Sequence, residues 1–169
     1  NDAGVEFYAN AGEMKQKGAE LSFWSYYELN TSIVKSIQYN IASAYNHYRF
    51  GNYMDGTTNF SGNKITSVPD WTLSNSLFLV FPKQFQLNIY HNHTSTIPLD
   101  DANTFFSDAY DLVQAKLNWS TRLPNLNSRL TFFVGIDNAL NQKYSLGNDI
   151  NAFGGRFYNA AATRNYYTG

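Results

Sequence analysis

Residues 19–29 read "AELSFWSYYEL", and their odd and even positions carry different chemistry. Ala19, Leu21, Phe23, Ser25, Tyr27 and Leu29 share one parity and are apolar or aromatic except for the serine. Glu20, Ser22, Trp24, Tyr26 and Glu28 share the other. A period of two places the sets on opposite faces of a strand, one greasy and one polar. The same alternation returns over 37–45 (Ile37, Tyr39, Ile41 against Gln38, Asn40) and over 71–81 (Trp71, Leu73, Leu77, Leu79, Phe81 against Thr72, Ser74, Ser76). It continues over 85–93 (Phe85, Leu87, Ile89 against Gln86, Asn88, Asn92), 109–119 (Val113, Ala115, Leu117, Trp119 against Gln114, Lys116, Asn118) and 130–136 (Leu130, Phe132, Val134, Ile136 against Thr131, Gly135). Six segments of about ten residues therefore read as half-buried strands.

The connections alternate as well. Those at Asn30-Thr31-Ser32, Phe81-Pro82-Lys83-Gln84 and around Leu123-Pro124-Asn125 are short, whereas 51–68, 95–108 and 141–155 are long and rich in Gly, Asn and Asp. Short and long loops fall on opposite ends of an up-and-down antiparallel sheet. Counting forward, a seventh strand begins near Arg156 and descends toward the short-loop end.

Composition narrows the setting. Aromatic residues make up 17% of the 169-residue chain and charged residues only 15%, with uncharged Asn, Ser and Thr taking the place of charge. A soluble domain usually carries about a quarter charged residues, so these surfaces are expected to face something besides bulk water. Net charge is −1, with 12 Lys/Arg and 13 Asp/Glu scattered along the sequence, so no basic stripe suited to nucleic acid is visible. The absence of cysteine excludes disulfides, zinc-thiolate sites and thiol catalysis. No apolar run approaches the ~18 residues of a membrane-crossing helix, which says nothing against a β-barrel, whose strands alternate.

Alternation alone fits a secreted soluble β-sandwich that binds glycans through its aromatic residues, and it fits a transmembrane barrel equally. Two features separate them. Charge is almost missing from the apolar faces, Asp111 near a strand end excepted, and Tyr, Phe and Trp gather near strand ends. Lys or Arg on a lipid face costs roughly 2–4 kcal/mol at the bilayer midplane, and aromatic girdles mark bilayer interfaces. A small independent barrel acting as an adhesin or lipid-binding protein would require an even strand count, against about seven here.

Four stretches then resemble, in order, the TonB-dependent outer-membrane receptors. "YANAGEMKQKGAELSF" (8–23) is similar to that family's Asn-Ala-Gly turn and Gly-x-Glu-Leu strand, here Gly18 to Leu21. "ASAYNHYRFGNY" (42–53) with "SGNKITSVP" (61–69) resembles its Tyr-rich ascending strand and the loop that follows. "FFVGIDNALNQKYSLG" (132–147) is similar to the penultimate strand, with Asp137, Asn138 and Tyr144 in place. "GGRFYNAAATRNYYTG" (154–169) resembles the entry to the closing strand, with Arg156, Tyr158, Ala160, Ala161 and Arg164. The resemblance implies an all-β, antiparallel, up-and-down transmembrane β-barrel segment, about seven of roughly 22 strands. It implies that residues 1–169 are the C-terminal part of a receptor whose plug domain and earlier strands lie elsewhere, and that the last strand runs on past Gly169. The opening Asn1-Asp2, without initiator methionine or signal sequence, and the closing "RNYYTG" fit that expectation.

The implied function is that of a receptor in the outer membrane of a Gram-negative bacterium. Its ligand is an extracellular solute, by preference a ferric siderophore or other iron complex, and its energy comes from the TonB inner-membrane protein acting through the missing N-terminal part. Outer-membrane lipid is the other partner, nucleic acid is not one, and no cofactor is expected. Ligand contacts are expected from the long loops and upper lumen positions: Tyr53, Asn59, Phe60, Phe105, Phe106, Asn151 and Arg156. Aromatics would stack on a chelate, Asn would hydrogen-bond it and Arg would meet its charge, although each could equally pack one loop against another.

Other candidates have plainer readings. Asp137-Asn138 is expected to cap a strand end, His91 and His93 to be rim residues rather than metal ligands, and Asp100-Asp101 to be a solvated loop tip. The sequons at Asn30, Asn59, Asn92 and Asn118 are read as unglycosylated. No Ser/His/Asp spacing, paired carboxylates or phosphate loop points to an enzyme.

Overall fold

The computed structural model describes residues 12–29, 31–124 and 127–169. The expected features at Asn1-Asp2, Asn10-Ala11, Asn30 and Asn125 lie outside the described residues. Along the rest the elements run β1 (Met14–Glu28), β2 (Ser36–Phe50), β3 (Met54–Asp55), β4 (Thr58–Asn59), β5 (Trp71–Val80), β6 (Phe85–Thr94) and β7 (Ile97–Pro98). They continue with β8 (Phe106–Ser107), β9 (Tyr110–Leu123), β10 (Ser128–Asp137), β11 (Ser145–Asn148), β12 (Tyr158–Ala160) and β13 (Asn165–Thr168).

Seven of these form one antiparallel meander in the order β1-β2-β5-β6-β9-β10-β13. The others pair as short ribbons within the long connections: β3 with β4, β7 with β8, and β11 with β12. Long connections (51–70, 95–109, 138–164) all lie on one edge and short ones on the other. The short ones are built from local bonds. Thr31 Oγ1 accepts from the Val34 amide at 3.0 Å, and the Phe81 amide donates to Phe85 O at 2.9 Å across a turn in which Lys83 and Gln84 are both left-handed.

Paired residues share a face, and the two chemistries separate over most of the sheet. The exception is Asn75, His91, His93 and Asp111, which have the apolar parity and bond one another, Asn75 Nδ2 to His91 Nδ1 at 3.0 Å and the two histidines to Asp111 Oδ1 at 2.8 and 3.0 Å. Tyr27, Ile37, Leu79, Leu87, Leu117 and Val134 form one continuous apolar row. Below it Phe85, Trp119 and Phe132 stack, with centroids 6.1 and 5.7 Å apart. The opposite face carries Asn40 and Ser76 (2.8 Å), Ser74 and Asn92 (2.8 Å), and Lys116 lying 4.0 Å over the Phe133 ring. Opposite Tyr167 on that face stands Gly135, where an added Cβ would come within 2.2 Å of the phenol ring. No second sheet covers the apolar face among the described residues. Leu21 is 67% and Phe23 55% exposed there.

Several boundaries differ from the sequence expectation. β1 and β2 extend beyond the alternating segments to Met14 and Phe50 through continuous pairing; the added residues carry Lys15, Lys17, His47 and Arg49 at positions of apolar parity, which breaks the alternation there. The seventh strand of the sheet begins at Asn165 instead of near Arg156. Tyr158–Ala160 is taken up by pairing with β11 inside the third long loop, and Arg156 follows the short 3₁₀ turn Phe153–Gly155.

Candidate functional site

What the sheet leaves exposed, the loops bury. The most enclosed apolar side chains among the described residues are Leu99 (0% exposed), Phe50, Ile65 and Phe157, all within the long connections or at their base. Asp101 ties the three loops together. Its Oδ2 accepts from the Tyr53 hydroxyl at 3.1 Å and from Asn151 Nδ2 at 3.1 Å, and Oδ1 accepts from Thr66 Oγ1. Its backbone takes part too: Asn63 Nδ2 donates to Asp101 O at 2.8 Å, and the Asp101 amide donates to Asn151 Oδ1 at 3.0 Å. The neighbouring Asp100 folds its own loop, accepting from the amides of Thr104 (2.8 Å) and Phe105 (3.0 Å). The acidic pair is thus a half-buried staple and not the solvated tip that its composition suggested. A carboxylate can do this because it offers about four acceptor positions, and charge-assisted bonds are the stronger kind.

Beside this staple the predicted contact residues divide. Tyr53, Phe60 and Asn151 meet around Asp101, with the Tyr53 and Phe60 rings 5.5 Å apart. Burial, helped by the Asp101 charge and hydrogen bond and by Asp55, raises the Tyr53 phenol above its ordinary 10.0, so it serves as a donor. Asn59 accepts from the Ser61 amide at 2.9 Å in its own turn. Phe105 packs on buried Phe157 (5.1 Å), and the Phe106 ring lies 5.8 Å beneath Lys64 Nζ. Arg156 is exposed and has no hydrogen-bond or ionic partner among the described residues. Asn138, buried and left-handed (φ 48°), closes the strand end by bonding Gln142 through both its amide oxygen and nitrogen.

None of the seven predicted residues lines the opening between the second and third loops. That cavity holds about 520 Å³ and is bounded by Asp108, Tyr110, Lys143, Tyr144, Asn148 and Tyr158, among others. Tyr110 has polar-face parity on β9, so the cavity borders the polar side of the sheet, and its ring lies 5.3 Å from that of Tyr144. The β11–β12 ribbon holds the opposite rim through Ser145 and Asn159, whose amide and side chain bond Ser145 Oγ (2.8 Å) and Gly147 O (3.0 Å). Asn148 Oδ1 is buried without a hydrogen-bond partner among the described residues. Three phenols, an ammonium, a carboxylate and a spare amide suit a polar, aromatic or chelating solute better than a lipid. Sequence reasoning passed over these residues because β11 must pair with β12 before they converge. Tyrosines flanking the glycine-rich stretch 144–158 were the available signal.

Comparison with known proteins agrees with this architecture. Residues 1–139 match a family model described as "TonB dependent receptor-like, beta-barrel". A search of the curated proteins finds no match. Among solved structures that match is the siderophore receptor PiuA from Acinetobacter baumannii, superposing with a TM-score of 0.68 at 17% identity. The alignment covers 93% of this chain and 21% of that one, so the chain spans about a fifth of the receptor's length.

Proposed function

The chain belongs to the TonB-dependent receptor β-barrel family, and from that premise we propose that it forms part of the wall and outer mouth of an outer-membrane receptor that imports a ferric siderophore or related iron complex. In this reading the apolar face meets lipid, the polar face lines the lumen and the long loops point out of the cell. Dimensions support the orientation. From Phe85 to Ser95, whose amide bonds Trp71 O at 2.9 Å, the outward face climbs ten residues between its aromatic belts. At about 3.3 Å per residue and a tilt near 40° that is a height of about 25 Å, comparable with the band expected of such barrels, with Leu87 and Ile89 in its lower rows and His91, His93 and Asp111 in its upper ones. The remaining strands, the plug and the contact with TonB belong to other parts of the polypeptide.

The observation that carries the ligand reading is the phenol- and lysine-lined cavity between the second and third loops. The siderophore-receptor title of a structural neighbour supports the choice of iron chelate as the solute class. The test is uptake of radio-iron-labelled ferric siderophores by an iron-starved strain lacking the gene and complemented with the whole receptor. Tyr158→Ala and Lys143→Ala should each weaken apparent affinity about tenfold, equivalent to about 1.4 kcal/mol. Unaltered uptake in the deletion strain across the chelates tried would reject iron complexes as the ligand.

A further inference from the structure

The outward face carries one hydrogen-bonded polar cluster inside the band that it would turn to lipid. The Tyr39 hydroxyl donates to Asn75 Oδ1 at 2.8 Å, and Asn75 Nδ2 donates to His91 Nδ1 at 3.0 Å. His91 therefore carries a proton on Nε2 and donates it to Asp111 Oδ1, to which His93 Nδ1 also donates. The network aims two imidazoles at one carboxylate oxygen and leaves the outer atoms unused. Asp111 Oδ2 and His93 Nε2 have no hydrogen-bond partner among the described residues, and their side chains are 41% and 27% exposed. Ionisable groups at such a level pair with something other than hydrocarbon, because an unmatched charge in lipid is costly.

The aromatic belt opens at the same place. Tyr45 on β2 and Trp71 on β5 form its upper edge, one outward row above the His93–Asp111 row, whereas β6 and β9 reach that level with Ser95 and Ala109. The strands that lack an interfacial aromatic are the two that carry the histidines and the aspartate. His93 and Asp111 stand directly opposite one another across β6 and β9. A two-fold axis along the membrane normal, passing between these strands, lays β6 of one molecule against β9 of a second. His93 of each copy then meets Asp111 of the other. With His93 protonated, each ring donates Nδ1–H to its own Asp111 and Nε2–H to Asp111 of the second copy. That closes a ring of four hydrogen bonds in which the charges balance. The small side chains of Ser95, Ala109 and Ala115 leave room for the approach. We infer that β6 and β9 form the interface of a membrane-embedded dimer of this receptor, centred on His93 and Asp111. Self-complementarity selects a second copy as the occupant, since one patch supplies both the donor and the acceptor that the other needs. The inference rests on the proposed membrane orientation and uses none of the loop cavity.

The experiment uses the whole receptor in outer membranes, freed of any native cysteine, given a single new one and treated with a short bismaleimide. Val113→Cys, beside the axis, should yield a band of twice the receptor's mass, and Leu21→Cys, on the outward face of β1, should yield none. Ala115→Cys serves if Val113→Cys fails to insert. Adding Asp111→Asn or His93→Gln to Val113→Cys should each lower the doubled band about tenfold, the loss of one charge-assisted contact. Native mass spectrometry of the cysteine-free receptor in mild detergent should likewise give a dimer that Asp111→Asn converts to monomer. Equal crosslinking from Leu21→Cys, an undiminished doubled band in both charge variants, or crosslinks only to a protein of another mass would overturn the inference. Heat-modifiable mobility on gels, measured on the same samples, separates the two failures: its loss in the unsubstituted receptor counts against the membrane reading, whereas its presence in a receptor that stays monomeric counts against the dimer alone.

Discussion

The sheet and the loop cap above it bury side chains in opposite ways. On the sheet, large apolar residues such as Leu21 and Tyr166 (74% exposed) find no partner layer among the described residues, while in the cap Leu99 is fully enclosed and Phe157 nearly so. The cap is therefore held by its own tertiary contacts, whereas the outward face of the sheet takes its stabilisation from what surrounds it. One polypeptide follows two solvent rules, and substitutions of similar size should separate them.

The largest effect is expected at Leu99. Leu99→Ala leaves a cavity in a site with no exposed surface, a change that costs about 2–5 kcal/mol in well-packed interiors. Because the Leu99 carbonyl also accepts from the Asn151 amide (2.8 Å), the cavity lies against the three-loop junction. Proteolysis of intact cells should then cut within 51–70, 95–109 and 138–164, while folding of the sheet into membrane is preserved. Wild-type protection of these loops would show that the cap has stability from another source.

Next comes the sheet itself. Leu77 sits mid-band on the outward face and its neighbour Ser76 on the polar face. Leu77→Arg should destabilise the receptor in vesicles by about 2–4 kcal/mol, and Ser76→Arg by under about 1 kcal/mol, measured by guanidinium unfolding. Equal costs would mean that the two faces meet the same solvent, contrary to the membrane orientation.

The same division explains what the sequence made legible. Face assignment on β1, β2, β5, β6, β9 and β10 was readable because period-two alternation is local, and in the proposed orientation a bilayer enforces it. Strand ends were lost where that enforcement stops, at Lys15, Lys17, His47 and Arg49, whose charge hides their outward parity. The cap was less legible, since Asp101 meets Tyr53, Thr66 and Asn151 at separations of 35 to 50 residues, for which no short pattern exists. The seventh strand was placed too early for a related reason: "RFYNA" (156–160) reads as a strand, and it is one, but its partner is β11 inside the loop rather than β10.

The smallest effect concerns the junction's proton. Tyr53 donates to Asp101 only while its phenol is protonated, and the folded cap holds that proton more tightly than an unfolded chain, raising the pKa above 10.0. A group raised in the folded state gives stability that is complete below its unfolded value and is lost as pH climbs through the folded one. Protease protection of the three loops should therefore be flat from pH 7 to near 10 as far as Tyr53 is concerned, then decline. Tyr53→Phe removes the proton and the bond together, so its cap should begin less protected and lose the Tyr53-dependent part of the alkaline decline. If variant and wild type decline alike, the loops open through other groups, and the hold of Asp101 on the cap runs through Thr66, Asn63 and Asn151 instead.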